Sequence, residues 1–462
     1  MGLIIAFIVF IISMIAMLIT QQSMVWALLI GLVLFTGLGI HTLCKGTEQL
    51  KMGDAVKELA IFGWGSIKDS LIVIEVMLII GFITAAWRVS GTITVFVYYG
   101  MKVIVPPLFL IITFLLACLL SYALGTSFGV AGTVGVIFMA LARSGGVDPV
   151  LTAGVLMSGI YFGDRGSPVS SSANMVAGVT KTDILTNVRL MMKTAALPLG
   201  ITLGFYGIMS FMNPISHVDE GIISSFEEEF TLSPWAFNPA VIMILLPLLK
   251  VGVIPSIAMS IIASVIVAWL VEKVALLEIF RILLMGYHSN GDGLGAILDG
   301  GGLISMLEIV IILIISCAYS GIFTRTNMLN SLLVFIQKGC TKMGRYAMTF
   351  IISLLSGIVF CNQTIATLIC SDLLTKPYLN TGGSREELAI DMENTVIVLV
   401  GLIPWCLACT VPLTFFNVGM STLLWALYLY LVPLCYFFTK KRFFSVDIKA
   451  AAKESHGKAS DE

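Results

Sequence analysis

The sequence predicts an all-α polytopic membrane protein of two inverted-topology repeats, each with a re-entrant hairpin and a broken transmembrane helix. Three observations predict it. Hydrophobic residues make up 58% of the 462 and charged residues 11%, where soluble domains carry roughly 25% charged. Mean hydropathy is +1.02, so too few polar side chains exist to cover a water-exposed surface. The apolar runs are continuous rather than alternating, which selects helices over barrel strands. Finally, segments in the first half of the chain resemble segments in the second. Net charge is −1, from 26 basic and 27 acidic residues. No basic face awaits a polyanion, so nucleic acid is not an expected partner.

The elements follow in order. Residues 1–66 hold two apolar spans, 3–20 and 24–43, and most of a charged, amphipathic connection over 44–68. No Lys or Arg precedes the first run, which reads as a retained span rather than a cleaved signal. Residues 67–212 form the first repeat: a span at 69–87, a hairpin around 121–133, a broken helix around 163–174 and a span at 191–212. Residues 213–301 hold an outer segment with Asp219, Glu220, Glu227, Glu228 and Glu229, then linking helices over 238–250 and 253–271. Residues 302–440 form the second repeat: a span at 303–323, a hairpin around 356–366, a broken helix around 401–412 and a last helix over 421–439. Residues 441–462 form a polar tail.

Basic residues orient these elements. With the N-terminus in the cytoplasm, 20 of the 26 lie inside and five outside, while Arg165 lies within the membrane. This topology requires each hairpin to return to the side it came from. It also gives the repeats opposite orientation. Ile74-Glu75-Val76 matches Leu307-Glu308-Ile309, the run from Ser121 to Ala131 matches Ser356 to Ala366, and Pro168 matches Pro404. Inverted repeats are the pattern of secondary transporters.

The sharpest chemical signal is Gly163-Asp-Arg-Gly-Ser-Pro-Val-Ser-Ser-Ser-Ala-Asn174. Pro168 removes a backbone donor and two glycines loosen the helix, so carbonyls and hydroxyls are freed at mid-membrane. These hard oxygens suit a small cation, and Asp164 adds charge and can exchange a proton for that cation. The alternative is a structural Asp164–Arg165 pair pinning a kink. Ion or substrate ligands are expected at Asp164, Arg165, Ser167, Ser170, Ser171 and Asn174, at the first hairpin tip (Thr126, Ser127) and at the second (Asn362, Gln363, Thr364). Sodium is expected at Asp164, Ser127 and Ser167. Glu75, Glu308 and Glu393 are candidates for a proton relay; Asp391, by contrast, suits a solvated helix N-terminus.

Gly125-Thr-Ser127-Phe-Gly129 formally matches a nucleophile elbow, but that motif needs a histidine base. Of the four histidines only His41 is near an apolar span. An intramembrane serine hydrolase is therefore a remote alternative, and no enzyme or catalytic residue is expected. Cys406 and Cys409 form one CxxC without a nearby His, which reads as helix packing.

At Gly163–Asn174, the glycine-rich tip before it and the Pro404-Trp405 break, the chain resembles the NhaC-type sodium/proton antiporters of bacteria, within an ion-transporter superfamily of inverted-repeat carriers. The resemblance spans roughly residues 60–440. It implies sodium/proton antiport by alternating access in the bacterial cytoplasmic membrane, with both termini inside. A sodium- or proton-coupled exchanger of a small organic anion or amino acid, such as lactate or malate, is the alternative. Partners implied are the bilayer, sodium, protons, a small organic acid for the alternative, and a second copy of the chain; no cofactor is implied.

Overall fold

The computed structural model describes residues 2–444 except 21, 46–49, 104, 216–219, 250, 290–293, 327 and 329–332. The tail beyond 444, Asp219, and Asn290 to Asp292 lie outside the described residues. Among those described, the elements are helices, apart from an isolated antiparallel bridge between Tyr287 and Gly300.

The N-terminal helices α1 (Gly2–Ile19) and α2 (Val25–Lys45) pack as a pair. The charged connection is itself largely helical: α3 (Met52–Asp69) leads with a 45° bend into α4 (Leu71–Val89). One face of α3 is packed. Ala55 and Leu59 are buried, Glu58 pairs with Arg325 at 2.6 Å, and Gly63 brings α3 against the backbone of Ala318. After α5 (Thr92–Val103) comes the segment expected as the first hairpin. Its arms are α6 (Phe109–Leu124) and a second helix made of α7 (Ser127–Val130), a π turn over Ala131–Gly135 and α8 (Val136–Ser144).

The first broken helix is α9 (Pro149–Gly166) and α10 (Ser171–Thr180), followed by the long α11 (Ile184–Met212). Asp183 caps α11. It accepts from the Thr186 hydroxyl and N–H, both at 2.8 Å, and these bonds hold its carboxyl below the usual carboxylate range. The acidic segment contains α12 (Glu220–Glu229), and Tyr287 donates to Glu229 at 2.7 Å. Helices α13 (Asn238–Leu248), α14 (Val253–Leu270), α15 (Leu276–Met285) and α16 (Gly295–Leu298) link the halves.

The second half repeats the order. α17 (Leu307–Thr326) and α18 (Leu333–Met343) precede a hairpin of α19 (Arg345–Phe360) and α20 (Gln363–Asn380). The second broken helix is α21 (Arg385–Glu393), α22 (Val396–Leu399) and α23 (Leu407–Phe416), bent by 50°. The last helix is α24 (Leu427–Phe443), so residues 441–443 end a helix rather than begin a tail.

The two halves match in local conformation. α4 and α17 begin at Leu71 and Leu307. Gly125 and Cys361 end the outbound hairpin arms in the left-handed region, and Thr126 and Asn362 cap the returning arms. Ser170 and Cys406 occupy the N-cap positions after the two breaks. All four pairs share one sequence separation. Helices long and apolar enough to cross a bilayer number five among the described residues, or seven if each bent pair is one span.

Candidate ion-binding site

Each hairpin tip packs on the break of its own half. Gly163 lets α9 touch α6 backbone to backbone: a Cβ there would lie 2.0 Å from the Ser121 carbonyl carbon. Gly125, at φ +65°, sits so close to Val169 and Ser170 that a Cβ would meet their backbone atoms at 2.6–2.7 Å. Ser167 donates to the Tyr122 carbonyl at 2.6 Å, which ties the break to the outbound arm. In the second half the Leu407 N–H donates to the Cys361 carbonyl at 2.8 Å. Tyr161 then joins the halves, donating to the Ala408 carbonyl at 2.6 Å.

Asp164 lies where these elements meet, at 2% exposure. Its Oδ1 accepts from the Ser172 hydroxyl at 3.2 Å and its Oδ2 from the Gln363 amide at 3.1 Å. Ser127, at the start of α7, lies beside the same carboxylate. The two hydrogen-bond donors come from α10 and α20, hence from both halves, and both are neutral.

Arg165 does not pair with Asp164. Consecutive residues on a helix point about 100° apart. Arg165 therefore turns to the other side of α9, where it donates to Thr194 at 2.6 Å, the Met191 carbonyl at 3.1 Å and Tyr428 at 3.2 Å. It is 1% exposed and ties α9 to α11 and α24. Neither expected use, as a substrate ligand or as a structural pair with Asp164, matches that placement.

Most of the expected hydroxyl and amide ligands hold the backbone instead. Thr126 accepts from the Gly129 N–H, and Asn362 accepts from the Thr364 N–H at 2.8 Å. Ser170 caps α10 and donates to the Asp164 backbone carbonyl. Asn174 donates to the carbonyls of Pro168 and Ser170 at 2.9 and 2.7 Å. Ser171 and Thr364 face outward. Ser172, which sequence reasoning passed over, is the serine of the cluster that reaches Asp164. The cap at Ser170 sets the register of α10 and so decides which serine turns inward; no serine run reveals that alone.

The relay candidates separate. Glu75 is exposed on α4, and Glu308 is exposed and accepts from Ser23 at 2.5 Å. Glu393 is fully buried at the end of α21, and the charges acting on it are Arg165 and Asp164. Asp391 is not a solvated helix start. The helix begins at Arg385 under a Ser384 cap, and Asp391 is wholly buried near its end. It accepts from Tyr378 and Lys440, both at 2.6 Å, and Tyr436 at 3.0 Å. Ser127 faces a carboxylate rather than a histidine among the described residues.

A model of the Na+/H+ antiporter family matches residues 159–439, which takes in both breaks and the second hairpin. The chain belongs to the Na+/H+ antiporter family. Its curated relatives are antiporters by name. The Na(+)/H(+) antiporter NhaC of Bacillus subtilis (strain 168) is 28% identical over 348 residues, 73% of this chain and 77% of that protein. The Malate-2H(+)/Na(+)-lactate antiporter of the same strain is 25% identical over 363 residues, 77% and 78% of the two chains. The Arginine/ornithine antiporter ArcD of Halobacterium salinarum (strain ATCC 700922 / JCM 11081 / NRC-1) is 24% identical over 406 residues, 81% and 82%. The chain is thus a multi-pass membrane antiporter, and Asp164 and Gln363 both lie within the matched region.

Proposed function

We propose that this chain exchanges sodium against protons by alternating access, and that both cations use Asp164. One observation carries the reading: a fully buried carboxylate is surrounded by neutral donors from both halves of the molecule. A buried charge without a bonded counter-charge is costly. A proton removes it and a sodium ion balances it, so either cation fits the same group. Hydroxyls rotate and an amide can flip, so Ser127, Ser172 and Gln363 can offer oxygen to a metal ion or a hydrogen to the bare carboxylate. Because the donors belong to both halves, movement of one half against the other would dismantle the shell and release the ion. Glu393, within the field of Asp164, is the best placed of the relay candidates.

The membrane we infer is the bacterial cytoplasmic membrane, with both termini inside, on the distribution of basic residues. Exchange of an organic anion is the second reading, supported by the relatives named for malate, lactate, arginine and ornithine. The placement of Arg165 weighs against it, since two of its nitrogens already serve Thr194, Met191 and Tyr428. The test uses purified chain in liposomes with an internal pH dye. Sodium, lactate, malate and single amino acids are added in turn. The reading expects sodium alone to dissipate a proton gradient; a strict requirement for an organic solute would select the second.

A further inference from the structure

The α21–α22 junction holds four buried polar atoms with no hydrogen-bond partner: both carboxylate oxygens of Glu393 and both polar atoms of the Asn394 amide. Both residues are 0% exposed. An unmet buried polar group costs about 1–3 kcal/mol, more when charged. Four such atoms on two consecutive residues, with the Nε of Arg165 also unpartnered, mark a place built for something absent from the protein's own groups. Apolar packing does not explain them, and Glu393 hydrogen-bonds neither Arg165 nor the donors around Asp164.

We propose that Glu393 and Asn394 form a second cation site, which takes a sodium-sized monovalent ion and is separate from the donor shell of Asp164. Its position favours a cation in two ways. Glu393 is the last residue of α21 and Asn394 its C-cap, so the negative end of the helix dipole and its terminal carbonyls adjoin the pair. The donor set is one carboxylate and one amide oxygen, hard ligands of low total charge. No group of three or more His, Cys, Asp or Glu side chains suited to a metal occurs among the described residues, so a transition metal or a tightly held divalent ion does not fit. A water entering with the ion accepts from the Asn394 Nδ2. Arg165 keeps the charge moderate. When both acids are ionised, Arg165 leaves one negative charge on the empty centre, and two bound cations leave one positive charge.

The choice of sodium rests on the proposed antiport reading; the existence of the site does not. The test is equilibrium binding of radioactive sodium to the purified full chain, counted per chain at alkaline pH. The unmodified protein is expected to bind two sodium ions. Glu393→Gln and Asp164→Asn are each expected to bind one. Asn394→Ala is expected to bind two, one of them weakened about tenfold, the effect of losing one ligand to a charged group. A count of one in the unmodified protein overturns the proposal whatever the variants do, so no folding defect can shelter it. A count of two that Glu393→Gln leaves at two also overturns it. If Asp164→Asn still binds two while Glu393→Gln binds one, the Asp164 reading fails and the second site stands.

Discussion

Asp164 is where the local chemistry concentrates. A protonated carboxyl does not bind sodium, so proton and sodium compete for it. Apparent sodium affinity is therefore expected to rise with pH while Asp164 loses its proton, then to level off once it is ionised. Sodium titrations of transport at a series of pH values check this, and an affinity independent of pH would contradict competition. Arg165 has a different role. Lysine at that position keeps the charge but cannot reproduce the three bonds that a guanidinium makes in a fixed fork. Arg165→Lys is expected to lower the melting temperature in detergent; an unchanged melting curve would show that the tie to α11 and α24 is dispensable. Sequence made Asp164 and Arg165 visible as expensive residues in an apolar run. It did not show that they part company, because that depends on which side of α9 each occupies. Ser172 and Asn394 were harder still: one needed the register of α10, the other the end of a helix that begins nine residues upstream at Arg385.

At the scale of elements, the interruptions between helices were legible because Gly, Pro and hydroxyl residues interrupt apolar runs. Their mutual packing was not. Gly163 read as a loosening residue, yet its role is contact, since it lets α9 lie against α6 without a side chain between. Gly163→Ala is expected to destabilise the fold by about 1–3 kcal/mol, the usual cost of overpacking, with the loss read as a lower melting temperature. Gly204 has open space around it, and Gly204→Ala is the matched control expected to melt like the unmodified chain. Equal melting of the two variants would refute the contact. The charged segment before α4 folds as an amphipathic helix, and its contact with α17 runs through Gly63 and Gly321.

For the whole molecule, the repeated order of caps and breaks gives two halves of one design, and only the first places a carboxylate at its break. The second break carries Ile403-Pro-Trp-Cys406 where the first carries Ser167-Pro-Val-Ser170. That asymmetry explains why the polar centre gathers on Asp164, while the second half contributes through Gln363 and Glu393. Opposite orientation of the halves, which we propose on the basic-residue count, has a direct check. Single cysteines at Ser225, in the acidic segment, and at Ser455, in the tail, are expected to react with an impermeant thiol reagent from opposite sides of intact cells. Reaction of both from outside would contradict the topology. The account stands most directly on one measurement, the initial rate of sodium-driven proton flux in liposomes containing purified Asp164→Asn beside the unmodified chain. The substitution keeps the side chain's shape and removes its charge and its titration. The account predicts normal incorporation of the variant and no sodium-dependent flux above empty liposomes; flux at the unmodified rate would contradict it.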